Sequence, residues 1–353
     1  MAAPYLEAAR YRACASRRAC IRSAHDMKAA VHAQYGSPDV VQIKDVEKSA
    51  PANNEVSIKV RAASVNPVDW HYLRGTPYMV RIMSGLRKPK ITRLGIDVAG
   101  AVEAVGRKVT RFKPGDEVFG TCRGAFAEYA CTQESALGMK PNNLTFEQAA
   151  CAPVAAFTAL QGLRGKGRIQ PGQKVLINAA AGDVGTFAVQ IAKAFGADVT
   201  GVCSTRNVDM VRSIGADQVI DYTREDFTRS GGQHYDIIFD GFVNHSLSAC
   251  KRILKPKGIY IIVGGPSDPS DPWMFRVMAV PIKGFVLSRF ASQKFVTFIA
   301  RSIKEDLALM RELLETGKVT PVIDRRYGLS EVPEALRYLE EGHARGKVVI
   351  TLD

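Results

Sequence analysis

No stretch of the 353-residue chain approaches the run of about 18 apolar residues needed to cross a bilayer, because its apolar runs are short and are cut by Gly, Pro or charge. No membrane-spanning helix is expected, and no membrane partner. Cysteine is present seven times (Cys14, Cys20, Cys122, Cys131, Cys151, Cys203, Cys250) but never as CxxC or at a zinc-ribbon spacing, so neither a disulfide framework nor a structural zinc lobe is indicated. Free thiols in a reducing compartment fit better, with Cys203 a small hydrophobe inside VTGVCS. Repeats of 20 to 50 residues are missing, as is any low-complexity tract beyond the first 26 residues. Acids are outnumbered, 35 against 48 Lys and Arg, for a net charge of +13.

What is present is ordinary for a globular protein. With 46% hydrophobic and 24% charged residues, the chain can bury a sizeable core, and its length suits two domains. Five arginines and two acids lie in residues 1–26, which carry +3 of the charge and leave +10 on the rest. This Arg-rich, Ala-rich opening resembles a mitochondrial presequence in composition; a disordered tail or an upstream-start artefact ahead of Met27 is the alternative. The expected location is cytoplasmic, or mitochondrial if the opening is a presequence. Nucleic-acid binding is a third-class reading of the basic balance, with any cofactor site then vestigial. Against it, the cations are scattered rather than clustered with aromatics, and no recognition motif is visible.

From Met27 to about Pro153, short segments rich in Val, Ala, Ile and Phe alternate with turns such as PANNE and KPGD, which reads as an all-β unit. Beyond Pro153 strands alternate with helical stretches: KVLINAA, VGTFAVQIAKAFG, DVTGVCS, NVDMVRSIG, QVIDY, YDIIFDGF, HSLSACKRILK, GIYIIVGG. That alternation implies a doubly wound parallel sheet covered on both faces, an α/β fold of Rossmann type. IKGFVLSR reads as a further strand, FVTFIARSIKEDLALMRELLETG as one helix ending at Gly317, EVPEALRYLEEG as another, and KVVITL as a closing strand. The expected organisation is a catalytic β-rich domain split between 27–152 and 292–353, with a cofactor domain at 153–291.

The most informative stretch is KVLINAAAGDVG, residues 174–185, an apolar strand entering a small-residue turn and then a helix. Its core, Ala180-x-Gly182-x-x-Gly185, suits close backbone approach to a pyrophosphate held at a helix N-terminus, with Gly182, Val184 and Gly185 lining it. Asp183 conflicts with an anion there and is expected to serve as the helix N-cap. About twenty residues on, the next strand ends GVCSTRN without the acid that holds the ribose hydroxyl of NAD. Ser204 and Arg206, with Tyr222 after VID, suit the 2′-phosphate of NADPH instead. Gly241, Gly264 and Gly265 stand at strand ends where a nicotinamide half would pass. Trp273, Met274 and Phe275 are candidates for an apolar substrate wall.

These residues, with VRAASVNPVDWHYLRG (60–75), GIDVAGAVEAVG (95–106), FKPGDEVFG (112–120), APVAAFTAL (152–160), GADQVIDYT (215–223) and GHARGKVVI (342–350), resemble the medium-chain dehydrogenase/reductase superfamily, in its zinc-independent quinone oxidoreductase branch. The resemblance implies a GroES-like catalytic domain around a Rossmann domain, and a homodimer. It implies that Asn66 contacts the nicotinamide or substrate and that Thr158 lies near the nicotinamide ring. Zinc-dependent relatives look like Gly-His-Glu where this chain has Gly95-Ile96-Asp97, and like Cys near Ser64-Val65-Asn66, so no metal is expected. The implied activity is NADPH-dependent reduction of a quinone, or alternatively of an enone or alkenal double bond. His71 and Tyr72, just past Asn66, are the candidate proton donors.

Overall fold

The computed structural model describes residues 26–229, 234–264 and 292–352. Strands β1 (Asp26–Val31) and β2 (Gln42–Glu47) pair as a hairpin, followed by β3 (Glu55–Val65), β4 (Asp97–Val105), β5 (Glu117–Thr121), β6 (Tyr129–Gln133) and β7 (Leu137–Met139). Between β3 and β4 lie α1 (Pro67–Arg74) and α2 (Tyr78–Ser84), and after β7 come α3 (Phe146–Cys151) and α4 (Pro153–Leu160). β3 alternates outward Lys59 and Arg61 with buried Ile58, Val60 and Ala62, the period-two pattern of a strand with one wet face.

The second unit runs β8 (Lys174–Asn178), α5 (Asp183–Ala194), β9 (Asp198–Cys203), α6 (Val208–Ser213), β10 (Gln218–Asp221), β11 (Tyr235–Asp240), α7 (Leu247–Arg252), β12 (Leu254–Ile262) and β13 (Lys294–Thr297). Its sheet has the order β10-β9-β8-β11-β12-β13, with every pairing parallel. The strand order reverses between β8 and β11, and in doubly wound sheets that switch point opens a crevice beyond the strands' carboxyl ends. β8 and β11 are buried through Val175, Leu176, Ile177 and Ile237, Ile238, Phe239, as a sheet covered on both faces requires.

The chain then adds α8 (Lys304–Glu315), β14 (Ile323–Gly328), α9 (Val332–Glu340) and β15 (Lys347–Thr351). β14 and β15 return to the first sheet, whose order is β14-β15-β3-β4-β5-β7, so the β-rich domain is split in sequence. The return comes later than expected. Residues 294–297 form the sixth parallel strand rather than part of a helix, and α8 buries Leu307, Met310, Leu313 and Leu314 in the core cluster that the two units share. Residues 294–297 therefore join the cofactor domain's sheet, past the boundary expected at residue 292. IKGFVLSR lies outside the described residues. The core cluster built on α4 and α5 also takes in Ala62, Ala99 and Val349 of the first sheet, so apolar packing is continuous between the units.

Candidate functional site

The crevice is built by the carboxyl ends of β8 and β11. Asn178 and Asp240 end these strands and face each other, with the Asn178 amide donating to Asp240 Oδ1 at 2.8 Å. Asp240 is fully buried and also accepts from the Phe242 and Val243 backbone N–H groups and the Tyr260 hydroxyl, so both of its carboxylate oxygens are engaged. Burial and this neighbouring carboxylate push the Tyr260 phenol well above its ordinary pKa. Asn178 Oδ1 in turn accepts the N–H of Ala179, which sits in the left-handed region at φ 65°. A non-glycine residue there is strained. The asparagine holds it at the start of the small-residue turn.

Each glycine of the turn has a distinct spatial role. A Cβ at Gly185 would come within 2.0 Å of the Ala179 carbonyl oxygen, so the helix meets the turn only if that side chain is absent. A Cβ at Gly182 would touch little, the nearest atom being Ala179 O at 3.4 Å, which leaves its outer side open to a ligand. Gly241 and Gly264 pack against each other, with a Cβ on Gly264 falling 2.6 Å from Gly241 O. This cradle fits a dinucleotide pyrophosphate: small, open backbone at the N-terminus of the 12-residue α5.

Asp183 departs from its expected place. The N-cap is Gly182, with extended backbone, and Asp183 is the first helical residue. Its Oδ1 accepts the N–H of Val184 at 2.7 Å, while Oδ2 is buried without a partner. The N–H of Val184, a residue expected to line the pyrophosphate, is thus taken by the protein's own carboxylate.

At the end of β9, Ser204 precedes a short 3-10 turn and its Oγ accepts from the Asn207 amide at 3.2 Å. Arg206 is exposed and donates to the His343 carbonyl at 2.9 Å. Tyr222 is exposed, and its backbone N–H bonds Cys203 O, which brings the ends of β9 and β10 together. Asp221, an acid not singled out in sequence, lies beside this region. The Thr205 hydroxyl, then the Thr223 hydroxyl and N–H, donate to it and hold its pKa below the ordinary carboxylate range. The segment carrying His343 also reaches the phosphate turn, where the Gly346 N–H donates to Ala181 O at 2.9 Å.

On the β-rich side, Asn66 is completely buried and its amide is committed on both sides. Nδ2 donates to Asp97 Oδ2 at 2.9 Å and to Ser64 O at 3.3 Å, and Oδ1 accepts from Lys347 Nζ at 2.6 Å. The direct contact with nicotinamide or substrate that the resemblance implies is not available to an amide so engaged; Asn66 is placed to hold neighbouring groups instead. Lys347 and Asp97 are both fully buried, 3.6 Å apart, and Asp97 also accepts from the Ser64 hydroxyl and, through Oδ1, from the Val154 N–H that opens α4. Burial raises the Asp97 pKa, against the opposing pull of Lys347. Asp69 accepts the Asn66 N–H at 2.9 Å, and burial pushes its pKa up to about 7. None of the Lys347–Asp97 pairing was apparent in sequence, where the partners stand 250 positions apart.

A cleft of about 580 Å³ opens in the same domain, lined among others by Asp69, Tyr72, Arg93, Ile96, Cys122 and Arg123. Tyr72 therefore faces a cavity, while its neighbour His71 is not part of that lining. The His71 Nδ1 lies 2.8 Å from the Thr76 carbonyl, which can only accept, so Nδ1 carries the proton; burial lowers the pKa and keeps the ring neutral. Such an imidazole is a poor proton donor. Thr158 is half-buried and its hydroxyl donates to Val154 O at 2.8 Å within α4. Gly265, Trp273, Met274 and Phe275 lie outside the described residues. Among the described residues, Cys122, Cys131, Cys151, Cys203 and Cys250 are free thiols, and no three His, Cys, Asp or Glu side chains converge on a metal-binding geometry.

Comparison with known proteins gives matches to two family models. The alcohol dehydrogenase GroES-like domain model matches residues 52–142, and a model described as zinc-binding dehydrogenase matches residues 214–350. A tomato (Solanum lycopersicum) 2-methylene-furan-3-one reductase is 34% identical over 340 residues, covering 92% of this chain and 79% of the relative. The chain belongs to the medium-chain dehydrogenase/reductase superfamily. Another superfamily member, an NADPH-dependent alkenal/one oxidoreductase of Arabidopsis thaliana chloroplasts, is 33% identical over 92% of this chain and 79% of its own. Among solved members, the quinone oxidoreductase of Coxiella burnetii superposes with a TM-score of 0.80 at 30% identity, covering 93% of this chain and all of its own.

Proposed function

We propose that the protein is an NADPH-dependent reductase that delivers hydride to an electrophilic acceptor, a quinone or the β-carbon of an enone or alkenal, without zinc. The observation that carries the reading is the end of β9. No acid follows Cys203, and Ser204 and Arg206 offer a hydroxyl and a guanidinium suited to a ribose 2′-phosphate. The names of the tomato, Arabidopsis and Coxiella relatives support the acceptor class.

Gly182 and Gly185 would hold the pyrophosphate, Arg206 and Ser204 the 2′-phosphate, and Gly241 and Gly264 the passage toward the nicotinamide. Bound there, NADPH supplies the hydride. The protein's own task is to receive the negative charge that develops on the acceptor oxygen and to return a proton. Tyr72, a phenol among the residues lining the cleft, is the better donor; neutral His71, with its proton committed to Thr76, supports the α1 turn. Ile96 takes the place of the His ligand of zinc-dependent relatives. Cys122 beside it is held protonated by burial, so the cavity offers a metal no ready thiolate. The proposal includes a homodimer in a reducing compartment, cytoplasmic or mitochondrial, and no specific nucleic-acid partner.

The test is absorbance loss of NADPH or NADH with a panel of quinones, enones and alkenals. Oxidation of NADPH by at least one class, at a kcat/KM at least tenfold above that with NADH, is expected, and Arg206→Glu should raise the KM for NADPH selectively. Equal rates with the two cofactors would refute the role of Arg206, and no oxidation with any acceptor would refute the reading.

A further inference from the structure

Of the ten large hydrophobic side chains exposed among the described residues, six fall in one short stretch: Tyr78, Met79, Ile82, Met83, Leu86 and Ile91. Met83 is 75% exposed and Ile82 62%. The orientation of α2 is the reverse of a surface helix that serves a core. Its polar residues point inward: Ser84 Oγ donates to Val80 O and stands 2.8 Å from the Tyr35 hydroxyl, and Arg81 donates to Gly75 O at 2.9 Å while lying over the Tyr35 ring. The Tyr35 hydroxyl also donates to Gly85 O at 2.6 Å, which fixes the end of the helix. The apolar residues at positions 78, 79, 82 and 83, spaced to share one helical face, are left outward.

The charge along this segment has one sign. Residues 70–96 contain six Lys or Arg and not one Asp or Glu. Arg74 is paired with Glu340 and Arg81 is turned inward, but Arg87, Lys88 and Lys90 are exposed and have no ion-pair partner among the described residues. Apolar side chains set beside unpaired cations, on a segment too short to span, match the requirements of a surface that lies in the headgroup region of an anionic bilayer. A second copy of this chain fits less well, because a self-complementary interface through this face would bring the two sets of cations together.

We propose that residues 78–91 form a docking face for anionic lipid membranes, with Ile82, Met83 and Leu86 entering the interface and Arg87, Lys88 and Lys90 pairing with lipid headgroups. The cleft lies alongside, since Ser84, Pro89 and Ile91 contribute to its wall, so docking would set the cleft's mouth at the lipid surface. The proposal is independent of the reductase reading.

Flotation of the full chain with large unilamellar vesicles tests it, using phosphatidylcholine alone and phosphatidylcholine with about 30% phosphatidylserine. Partitioning onto the anionic vesicles should be at least tenfold stronger than onto neutral ones and should fall steeply by about 0.5 M salt. The pair Ile82→Glu with Met83→Glu should cut it at least tenfold, as should Arg87→Glu with Lys88→Glu and Lys90→Glu. All these side chains are outside the core, and an unchanged circular dichroism melt is the control for folding. Equal partitioning onto both vesicle types, retention by the Ile82→Glu, Met83→Glu variant (binding then lying elsewhere, as in the basic first 26 residues), or a dimer in the ultracentrifuge that this variant dissolves would each overturn the proposal.

Discussion

Asp183 sets two requirements of one turn against each other. As the first residue of α5 its carboxylate suits the positive end of the helix and satisfies the Val184 N–H, yet it occupies the place where an anionic cofactor needs donors. Replacing it with Asn keeps an acceptor for Val184 and removes the charge. Asp183→Asn should therefore lower the Kd for NADPH about three- to tenfold by fluorescence titration, equivalent to about 1 kcal/mol; an unchanged or weaker affinity would contradict this account. At this scale the sequence is legible where chemistry is local. Gly182, Gly185, Ser204 and Arg206 are readable because a strand, a turn and a helix succeed each other within about thirty residues. The committed amide of Asn66 is not readable, since its partners Asp97 and Lys347 come from distant segments. Nor is the left-handed Ala179, whose strain is held by Asn178, a residue that looks in sequence like an ordinary strand end.

Helix α1 shows how an element's cap acquires a pH dependence. Its third residue, Asp69, accepts the Asn66 N–H from within the protein interior, and burial outweighs this bond and the attraction of Lys347 to raise the pKa to about 7. An acid whose native pKa exceeds its unfolded value near 4 holds an extra proton in the folded state between the two. Its contribution to stability falls as pH climbs through that window and is flat above it. Asp69→Asn retains an acceptor for the cap and removes the titration, so the loss of Tm between pH 5 and 7.5 should be smaller in the variant than in the parent. An identical slope would show that Asp69 is ionised throughout. Among the other elements, the alternating strands and helices from β8 to β12 were legible from their periods, whereas β13 and α8 merged into one expected helix. The reason is physical: Phe295, Val296, Phe298, Ile299 and Ile303 also fall at helical spacing, and a four-residue edge strand is too short to display its own period.

Over the whole molecule, Lys347 ties the returning strand to Asn66 and Asp97, and Asp97 in turn holds the first N–H of α4. A buried ion pair contributes little net stability when complete, but losing one member leaves a charge unpaired at a cost of about 3–5 kcal/mol. Lys347→Met should lower Tm by several degrees, and adding Asp97→Asn should recover most of the loss; a double variant no better than the single would show that the lysine acts through packing alone. The split of the β-rich domain was legible because a β-type ending follows the α/β segment, although its boundary was not, because β13 joins the second sheet through pairings that only the fold reveals. Basic charge, spread over the chain as a number, gave no hint that residues 70–96 hold six cations and no acid on one region beside an apolar face.

The position of β15 between β14 and β3 has a consequence for synthesis on the ribosome. Residues 62–65 of β3 pair with Val348–Thr351, so that edge has no partner until nearly the whole chain has been made. At about 5–20 residues per second, the roughly 280 intervening residues take on the order of 15 to 60 seconds to appear. For that time an apolar strand edge, Ala62 and Ala63 followed by Val65, is open to pairing with other nascent chains. The β-rich sheet is completed only when β15 emerges, so the yield of native protein in cells should depend on chaperones that shield this edge.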